Sequence, residues 1–339
     1  MKAKLLFDGK DLIVPEEMGT PKEDQLLGTL GERLAELAGR ICYDSLGRGR
    51  SSSDFHRHIV EVGHGSVLEH YNVTVSIQDE FDEKEVLRSM LNRPGVSYIN
   101  GRMTLNLRSI LEWNNHGYSS TILARSVRNL GAYIAPQIID TEQGLYCCLR
   151  PQEPSFESEK WISLYLSGSR GFSHEMVRHG DWTAISQRST RYCDEGESPW
   201  IVHPLLESML KDEGTMPSIE QLIEKARDLY CNIVSRLETY LRDRGADPLT
   251  ARKQARGAAR GYLGNALETE MIFSASVAQW KRILRQRGGM AADAEIKEIA
   301  ILILGELKKS RYSSCFDSFK ITGTGLERSI VEISDGSCS

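Results

Sequence analysis

The sequence contains no apolar run near the ~20 residues that a membrane-spanning helix needs. Charge sets in at once, at Lys2, Lys4 and Asp8, too early for a signal peptide. Its seven cysteines, Cys42, Cys147, Cys148, Cys193, Cys231, Cys315 and Cys338, form no CxxC pair. An odd set of this kind fits neither a secreted disulfide framework nor a zinc site, so reduced thiols in the cytoplasm are expected. Adjacent Cys147 and Cys148 could close a disulfide only with backbone strain. His56, His58, His64 and His70 lack a HExxH or comparable ligand spacing, which argues against a metal hydrolase and leaves no metal expected. No GxGxxG follows a strand, and there is no tandem repeat. Nor is there a basic excess: the net charge of −5 and pI ≈ 6.0 make a nucleic-acid polymer an unexpected partner.

At 339 residues, 40% hydrophobic and 26% charged, the chain is long enough to bury a large core as a single domain, residues 1–339, with one substantial insertion. Leu26, Leu27, Leu30, Leu34, Leu37 and Ile41 recur at helical spacing between Glu23 and Tyr43. Ser51 to Val62 reads as a shorter helix, and Val73, Val75 and Ile77 alternate with polar residues as in a half-buried strand. Glu83 to Ile139 reads as broken helices, so residues 79–160 form a helical insertion whose Trp113, Arg125 and Arg128 could extend a site or an interface. Trp161 to Leu166 returns to a strand pattern before Ser169 opens a helix. A long amphipathic helix runs from a cap at Ser218 to Gly245, with Ile219, Leu222, Ile223, Leu229, Ile233 and Leu237 on one face. Further helices are expected at Pro248 to Leu263, Thr269 to Arg287 and Ala291 to Lys308. The class is α+β, a central antiparallel or mixed sheet flanked by helices.

Chemistry concentrates between Ser169 and Arg191, where Arg170, His174, Arg178, His179, Arg188 and Arg191 stand with Ser186, Ser189 and Thr190. Fork-shaped donors and hydroxyls at this density suit a phosphate and a planar pyrimidine ring. A solvated cationic helix with ordinary salt bridges is the competing explanation.

The order Ser169-Arg170, His174-Glu175-Met176-Val177-Arg178-His179 and Ser186-Gln187-Arg188-Ser189-Thr190-Arg191-Tyr192 resembles the signature of the flavin-dependent thymidylate synthases. Arg40-Ile41-Cys42-Tyr43-Asp44-Ser45 and Gly63-His64-Gly65-Ser66-Val67-Leu68-Glu69-His70 are similar to the N-terminal half of that family. Ala259-Arg260, Leu263, Thr269, Trp280, Arg287, Glu295 and Ile296 match its C-terminal pattern. Several positions depart. Gly180 replaces the third residue of an Arg-His-Arg triplet, and Asp181 lengthens the spacing to Ser189 by one. Glu175 stands where glutamine is common, Gln187 where an acid is, and Ser276 and Ala278 where an Asn-x-Arg is usual. Gly264 replaces a proline and Asp293 a glutamine. Thr104-Leu105-Asn106-Leu107-Arg108 offers an Asn-x-Arg inside the insertion.

The resemblance implies C5 methylation of a pyrimidine nucleotide, dUMP to dTMP, with FAD, NADPH and methylenetetrahydrofolate and without a cysteine nucleophile. It implies a homotetramer with active sites shared between subunits. Arg178 and Arg287 would be catalytic. Glu175, Gln187, Ser189, Arg191 and Arg260, with Arg178 and Arg287, would bind the nucleotide, and His64, Ser66, Arg170 and His179 the FAD. Glu175 could instead pair with Arg178 or Arg170. The departures leave two other readings open: a relative that methylates UMP or makes a hydroxymethyl product, and a flavin- and nucleotide-binding protein without turnover.

Overall fold

The computed structural model describes residues 1–77, 84, 87–88, 91, 95–115, 149–180, 182–214 and 216–333. Its strands are β1 (Lys2–Phe7), β2 (Asn72–Ile77), β3 (Val96–Ile99), β4 (Arg102–Asn106), β5 (Leu149–Gln152), β6 (Trp161–Ser169), β7 (Thr183–Gln187), β8 (Glu268–Ser276), β9 (Phe319–Thr322) and β10 (Ser329–Glu332). Its helices are α1 (Leu30–Tyr43), α2 (Ser52–Glu61), α3 (Leu107–Asn115), α4 (Arg170–Met176), α5 (Pro204–Glu213), α6 (Pro217–Arg242), α7 (Pro248–Ala259), α8 (Val277–Arg287) and α9 (Ala294–Leu307). The fold is α+β, with two four-stranded antiparallel sheets, β1-β6-β8-β7 and β3-β4-β2-β5, and a β9-β10 hairpin.

The first sheet is organised by β6 and β8, which pair along their full lengths from Trp161↔Ser276 to Ser169↔Glu268. Each strand ends in a serine that caps the helix after it: Ser169 Oγ accepts from Phe172 N, and Ser276 Oγ accepts from Gln279 N. Capping satisfies a backbone donor left free at the helix start and lets strand pass directly into helix. One face of the sheet presents Ile162, Leu164, Leu166, Met271 and Phe273 to α4, α8 and α9, in a core shared with Trp280, Ile299 and Phe316. On the other face, Tyr165 and Ile272 join a second core built on α1 and the β2 sheet.

That second face also carries Ser163, Ser274 and Ser186, and they hold a fully buried histidine. His70 Nδ1 lies 2.7 Å from Ser274 Oγ and Nε2 2.9 Å from Ser186 Oγ, while Ser274 Oγ donates to Ser163 Oγ at 2.6 Å. The ring therefore donates from Nδ1 and accepts at Nε2. Burial pushes its pKa down to about 3, so it is neutral at physiological pH. These bonds pin the single-turn helix Gly65–His70 against β7.

Several expectations are corrected. Thr269 to Arg287 is not one helix: β8 occupies its first part and α8 its second. A short apolar run reads alike for a buried strand and a buried helix, and pairing with β6 and β7 decides it. Helix α1 begins at Leu30, where Thr29 and Glu32 form a capping box, so Leu26 and Leu27 precede it. Helix α6 begins at Pro217, whose preset φ starts it ahead of Ser218. The described part of 79–160 contains β3, β4 and β5 besides α3, and is therefore not purely helical. Arg125, Arg128, Cys147, Cys148 and Cys338, together with the Trp113 side chain, lie outside the described residues.

Glu36 and Arg40 form a buried ion pair, 0% and 1% exposed, at 2.6 Å. The remaining Arg40 donors reach the carbonyls of Ser45, Arg48 and Arg50, so one guanidinium shapes the loop between α1 and α2. Burial pushes the Glu36 carboxyl up, yet hydrogen bonds from His56, Ser52 and Arg40 outweigh it and hold it below the usual carboxylate range. A depressed carboxylate contributes stability above its unfolded pKa of about 4.3 and loses it as pH falls through the folded value. Arg40→Ala, which leaves Glu36 charged and unpaired, is expected to lower stability by about 3–5 kcal/mol in urea unfolding at pH 7. A loss below about 1 kcal/mol would show that the pair is not what orders the loop.

Candidate functional site

The residues singled out in the sequence fall into three groups joined by hydrogen bonds. The first surrounds Arg287 at the end of α8. Its Nε donates to His179 Nε2 at 2.8 Å and its Nη1 to Glu175 Oε2 at 2.7 Å. Glu175 thus pairs with Arg287, not with Arg178 or Arg170 as expected, because α4 and α8 leave opposite ends of the β6–β8 pair and pass one another. The bond from Arg287 fixes His179 as the Nδ1–H tautomer. His179 is 5% exposed, and burial, with Arg287 and Arg282 nearby, lowers its pKa to about 4. Arg178, one residue earlier, is exposed and has no hydrogen-bond or ionic partner among the described residues.

The second group lines a cavity of about 1200 Å³ between α1, α2 with the Val62–His64 segment after it, the end of β7 and α7. Gln187 and Ser189 form one wall, and His64, Tyr43 and Tyr192 another. Tyr43 Oη lies 3.0 Å from His64 Nδ1, and Tyr43 meets both His64 and Tyr192 edge-on. Gly63 has φ +67°, and a Cβ at Gly65 would lie 3.2 Å from Arg108 Nε, which explains glycine on both sides of His64. Ser66 is half-buried in the same turn. Ser189 N donates to Cys42 O, and Ser189 Oγ accepts from Arg191 N, leaving the Arg191 side chain exposed.

The third group lies beside these. Arg260 donates to Thr190 Oγ1 at 3.2 Å, and Arg170, half-buried, sits in the fields of Glu195 and Arg260. Gln187 joins the first two groups: its amide donates to Ser173 Oγ on α4 and to Thr269 Oγ1, each at 3.0 Å. Arg188 is structural. Burial opposes its charge, but Glu195, Asp44 and Glu270 around it raise its pKa, and Asp44 at 3.1 Å ties the Arg40–Ser45 segment to this loop.

Residues 156–310 match the family described as thymidylate synthase complementing protein. The chain is similar to proteins named flavin-dependent thymidylate synthase from Mycolicibacterium gilvum (33% identical over 162 residues, 48% of this chain and 62% of the relative) and Mycobacterium marinum (35% over 147 residues, 43% and 57%). The relative from Mycobacterium tuberculosis is 32% identical over 162 residues, again 48% and 62%. The chain spans about three fifths of the length of these curated relatives.

Several of the departures within residues 156–310 have local explanations. Ser276 caps α8, Asp293 caps α9 and lies 3.2 Å from His203, and a Cβ at Gly264 would come within 3.0 Å of the Trp200 ring. Gly180 has φ −65°, and a Cβ there would meet only Val177 O, at an ordinary 3.7 Å, so the backbone does not require glycine. Asp181 lies outside the described residues, but Trp182 beside it is 47% exposed and has φ +54°, a strained value for a bulky residue. Asn106 and Arg108 do not take over the absent Asn-x-Arg: Asn106 Oδ1 accepts from Ser109 in α3, and Arg108 is paired with Glu69 and Glu112. Tyr43 sat in a quoted motif without a role, whereas Arg50 and Lys253, also on the cavity, carried no sequence signal at all.

In a ring-nitrogen NMR titration, His179 is expected to protonate near pH 4, and Arg287→Ala to move that value up toward 6.5, since a neighbouring cation opposes a second positive charge. A downward shift would contradict the assigned contact. Because the folded value is depressed, the contribution of His179 to stability is complete above about pH 6.5 and is lost as pH falls toward 4.

Proposed function

We propose that this chain is a flavin-dependent enzyme that methylates a pyrimidine nucleotide at ring carbon 5, converting dUMP to dTMP with methylenetetrahydrofolate and NADPH. The supporting observation is that two sequence motifs far apart, Gly63–His70 and Ser186–Tyr192, meet on one cavity of about 1200 Å³. The curated relatives are named for this activity.

The residues suit placement and electrostatics rather than covalent catalysis. Ser189 supplies a hydroxyl and Arg191 an exposed guanidinium for the phosphate, and Arg260 closes on the same loop through Thr190. Arg178, without a partner among the described residues, faces the ring as negative character grows on it and stays charged throughout. Arg287, oriented by Glu175 and His179, lies against the uracil. Flavin adenine dinucleotide, when bound, supplies the hydride that completes the methyl group. His64, Ser66 and the cationic lining fit an extended aromatic anion of that kind. His179 fits less well, because its ring is buried against Arg287, and Arg170 is turned toward Glu195.

The Glu175–Arg287 pair favours a second reading. A carboxylate in place of the family's glutamine accepts hydrogen bonds but cannot donate them, and it occupies an arginine otherwise open to the ring. UMP as acceptor, or a hydroxymethyl product, would follow from a ring held differently.

Assembly as a homotetramer is supported by α6, whose apolar stripe is only partly covered among the described residues. Among its residues only Tyr230 is buried, and Leu222 is 63% exposed. A cytoplasmic setting agrees with Cys42, Cys193, Cys231 and Cys315 as free thiols.

Mass analysis of products from dUMP, UMP, dCMP and CMP, each with NADPH and methylenetetrahydrofolate, is expected to show a methylated product from dUMP. Product from UMP alone would select the second reading. Failure to release tritium from either 5-tritiated dUMP or UMP would reduce the chain to a binding protein. Ser189→Ala and Arg191→Ala are expected to weaken dUMP binding roughly tenfold or more each, the effect of losing a hydrogen bond to a charged group. Glu175→Gln is expected to raise dUMP turnover if the pair with Arg287 restrains it.

A further inference from the structure

Gln187 and Ser189 line the cavity, and Arg188 between them does not. Arg188 N donates to Glu270 O, one step beyond the Gln187↔Met271 pair, so the chain is still extended along β8 at this point. Side chains on an extended segment alternate in direction, and whatever holds Arg188 on its own side therefore decides that Ser189 faces the cavity. The Arg188 guanidinium lies among three carboxylates, Asp44 at 3.1 Å, Glu195 at 3.5 Å and Glu270 at 3.7 Å. They are not equivalent. The Asp44 side chain is 45% exposed and that of Glu270 27%, so solvent screens both, whereas Glu195 is 1% exposed. Glu195 also belongs to the same loop as Arg188, and the two flank Ser189, Thr190 and Arg191.

The far end of this loop is fastened to helices. Glu195 N donates to Tyr230 Oη of α6 at 3.3 Å, and Asp194 accepts from Arg256 of α7 at 2.8 Å. Ser198 Oγ donates to Glu195 Oε2 at 2.5 Å, while Oε1 faces Arg188 and is buried without a hydrogen bond among the described residues. Burial raises the pKa of this carboxyl, opposed by Ser198 and Arg188. A buried acid so incompletely bonded costs the fold stability. The Arg170 guanidinium, itself without a partner among the described residues, also lies in its field.

We propose that Glu195 is a positioning residue: clasped to Arg188, it holds Ser189 and Arg191 where they meet the phosphate of the nucleotide. The proposal rests on the nucleotide reading of these two residues and adds the group that aims them. Glu195 touches no ligand. It acts through Arg188 at one end of the loop and is anchored on α6 at the other, so the segment between them is held at both ends.

The test is isothermal titration of the flavin-loaded full chain with dUMP and with deoxyuridine, which lacks the phosphate. Glu195→Gln keeps the shape of the side chain and removes its charge. It is expected to weaken dUMP binding about fivefold or more and deoxyuridine binding by less than about twofold. A carboxylate acting only through its charge would give the opposite sign, since its loss removes repulsion from the phosphate. Arg188→Met is expected to reproduce the loss, and the double variant to bind dUMP no more weakly than the worse single one, because two members of one clasp do not add. Ser198→Ala, which frees Oε2 and keeps the charge, is expected to weaken dUMP about twofold and decides the matter if the charge variants do not fold. The clasp is overturned if Glu195→Gln leaves dUMP binding unchanged or tightens it, if deoxyuridine weakens equally, or if the two single losses add. With unfolded charge variants, unchanged dUMP binding in Ser198→Ala overturns it. A wild-type chain that holds dUMP no tighter than deoxyuridine refutes the nucleotide reading and the clasp with it, whereas a wild-type advantage that survives Glu195→Gln refutes the clasp alone.

Discussion

The pairing of β6 with β8 is the constraint on which the rest of the molecule depends. Nine consecutive pairs place Ser169 and Ser276 at opposite ends of one ladder, and each serine turns its strand directly into a helix. The two helices leave from opposite ends and cross the same face, which brings Arg287 of α8 onto Glu175 and His179. Neither capping bond exceeds about 2 kcal/mol, but without them the helices would not start where this contact requires. The opposite face of the ladder supplies the serines that bind His70, and through His70 the Gly65–His70 turn is held on β7. One ladder thus positions an arginine on one side and a cavity wall on the other.

Two buried polar devices complete the cavity. His70, neutral and hydrogen-bonded at both nitrogens, avoids the penalty of an unpaired buried ring and fixes the turn that presents His64. The Glu36–Arg40 pair does the same for the wall that includes Ser45 and Arg50, since each spare guanidinium donor ends on a loop carbonyl. In both cases a polar group in the core helps order a segment, and in the Gly65–His70 turn it acts beside the buried Val67 and Leu68. The lining that results combines aromatic, hydroxyl-bearing and cationic groups.

Periodicity in the sequence was sufficient for α2, β2 and α6 to within a few residues, because each has a polar side that sets the period, whereas it started α1 seven residues too early. It failed at β8, which is covered on both faces and so has no polar alternation to distinguish strand from helix. It also misplaced the partner of Glu175. Helical spacing brings Arg178 and Arg170 near in sequence, but a partner contributed by another helix has no local signature. The stripe on α6 was legible as amphipathic, yet its exposure in the folded chain was not.

Local pattern and composition were enough for the helix start at Ser169, the alternation of β2, and the residues Arg178, Ser189, Arg191, Arg260 and Arg287 that carry the resemblance to the flavin-dependent thymidylate synthases. Tertiary structure alone decided which of these residues are free and which are engaged. Arg178 has no partner among the described residues, while Arg287 is held by Glu175 and His179. Gln187 and Ser189 share a cavity with His64, and Arg50 and Lys253, unremarkable in the sequence, stand on it. The physical reason is that a pairing or a cavity wall depends on distance across the ladder, and no spacing along the chain encodes that distance.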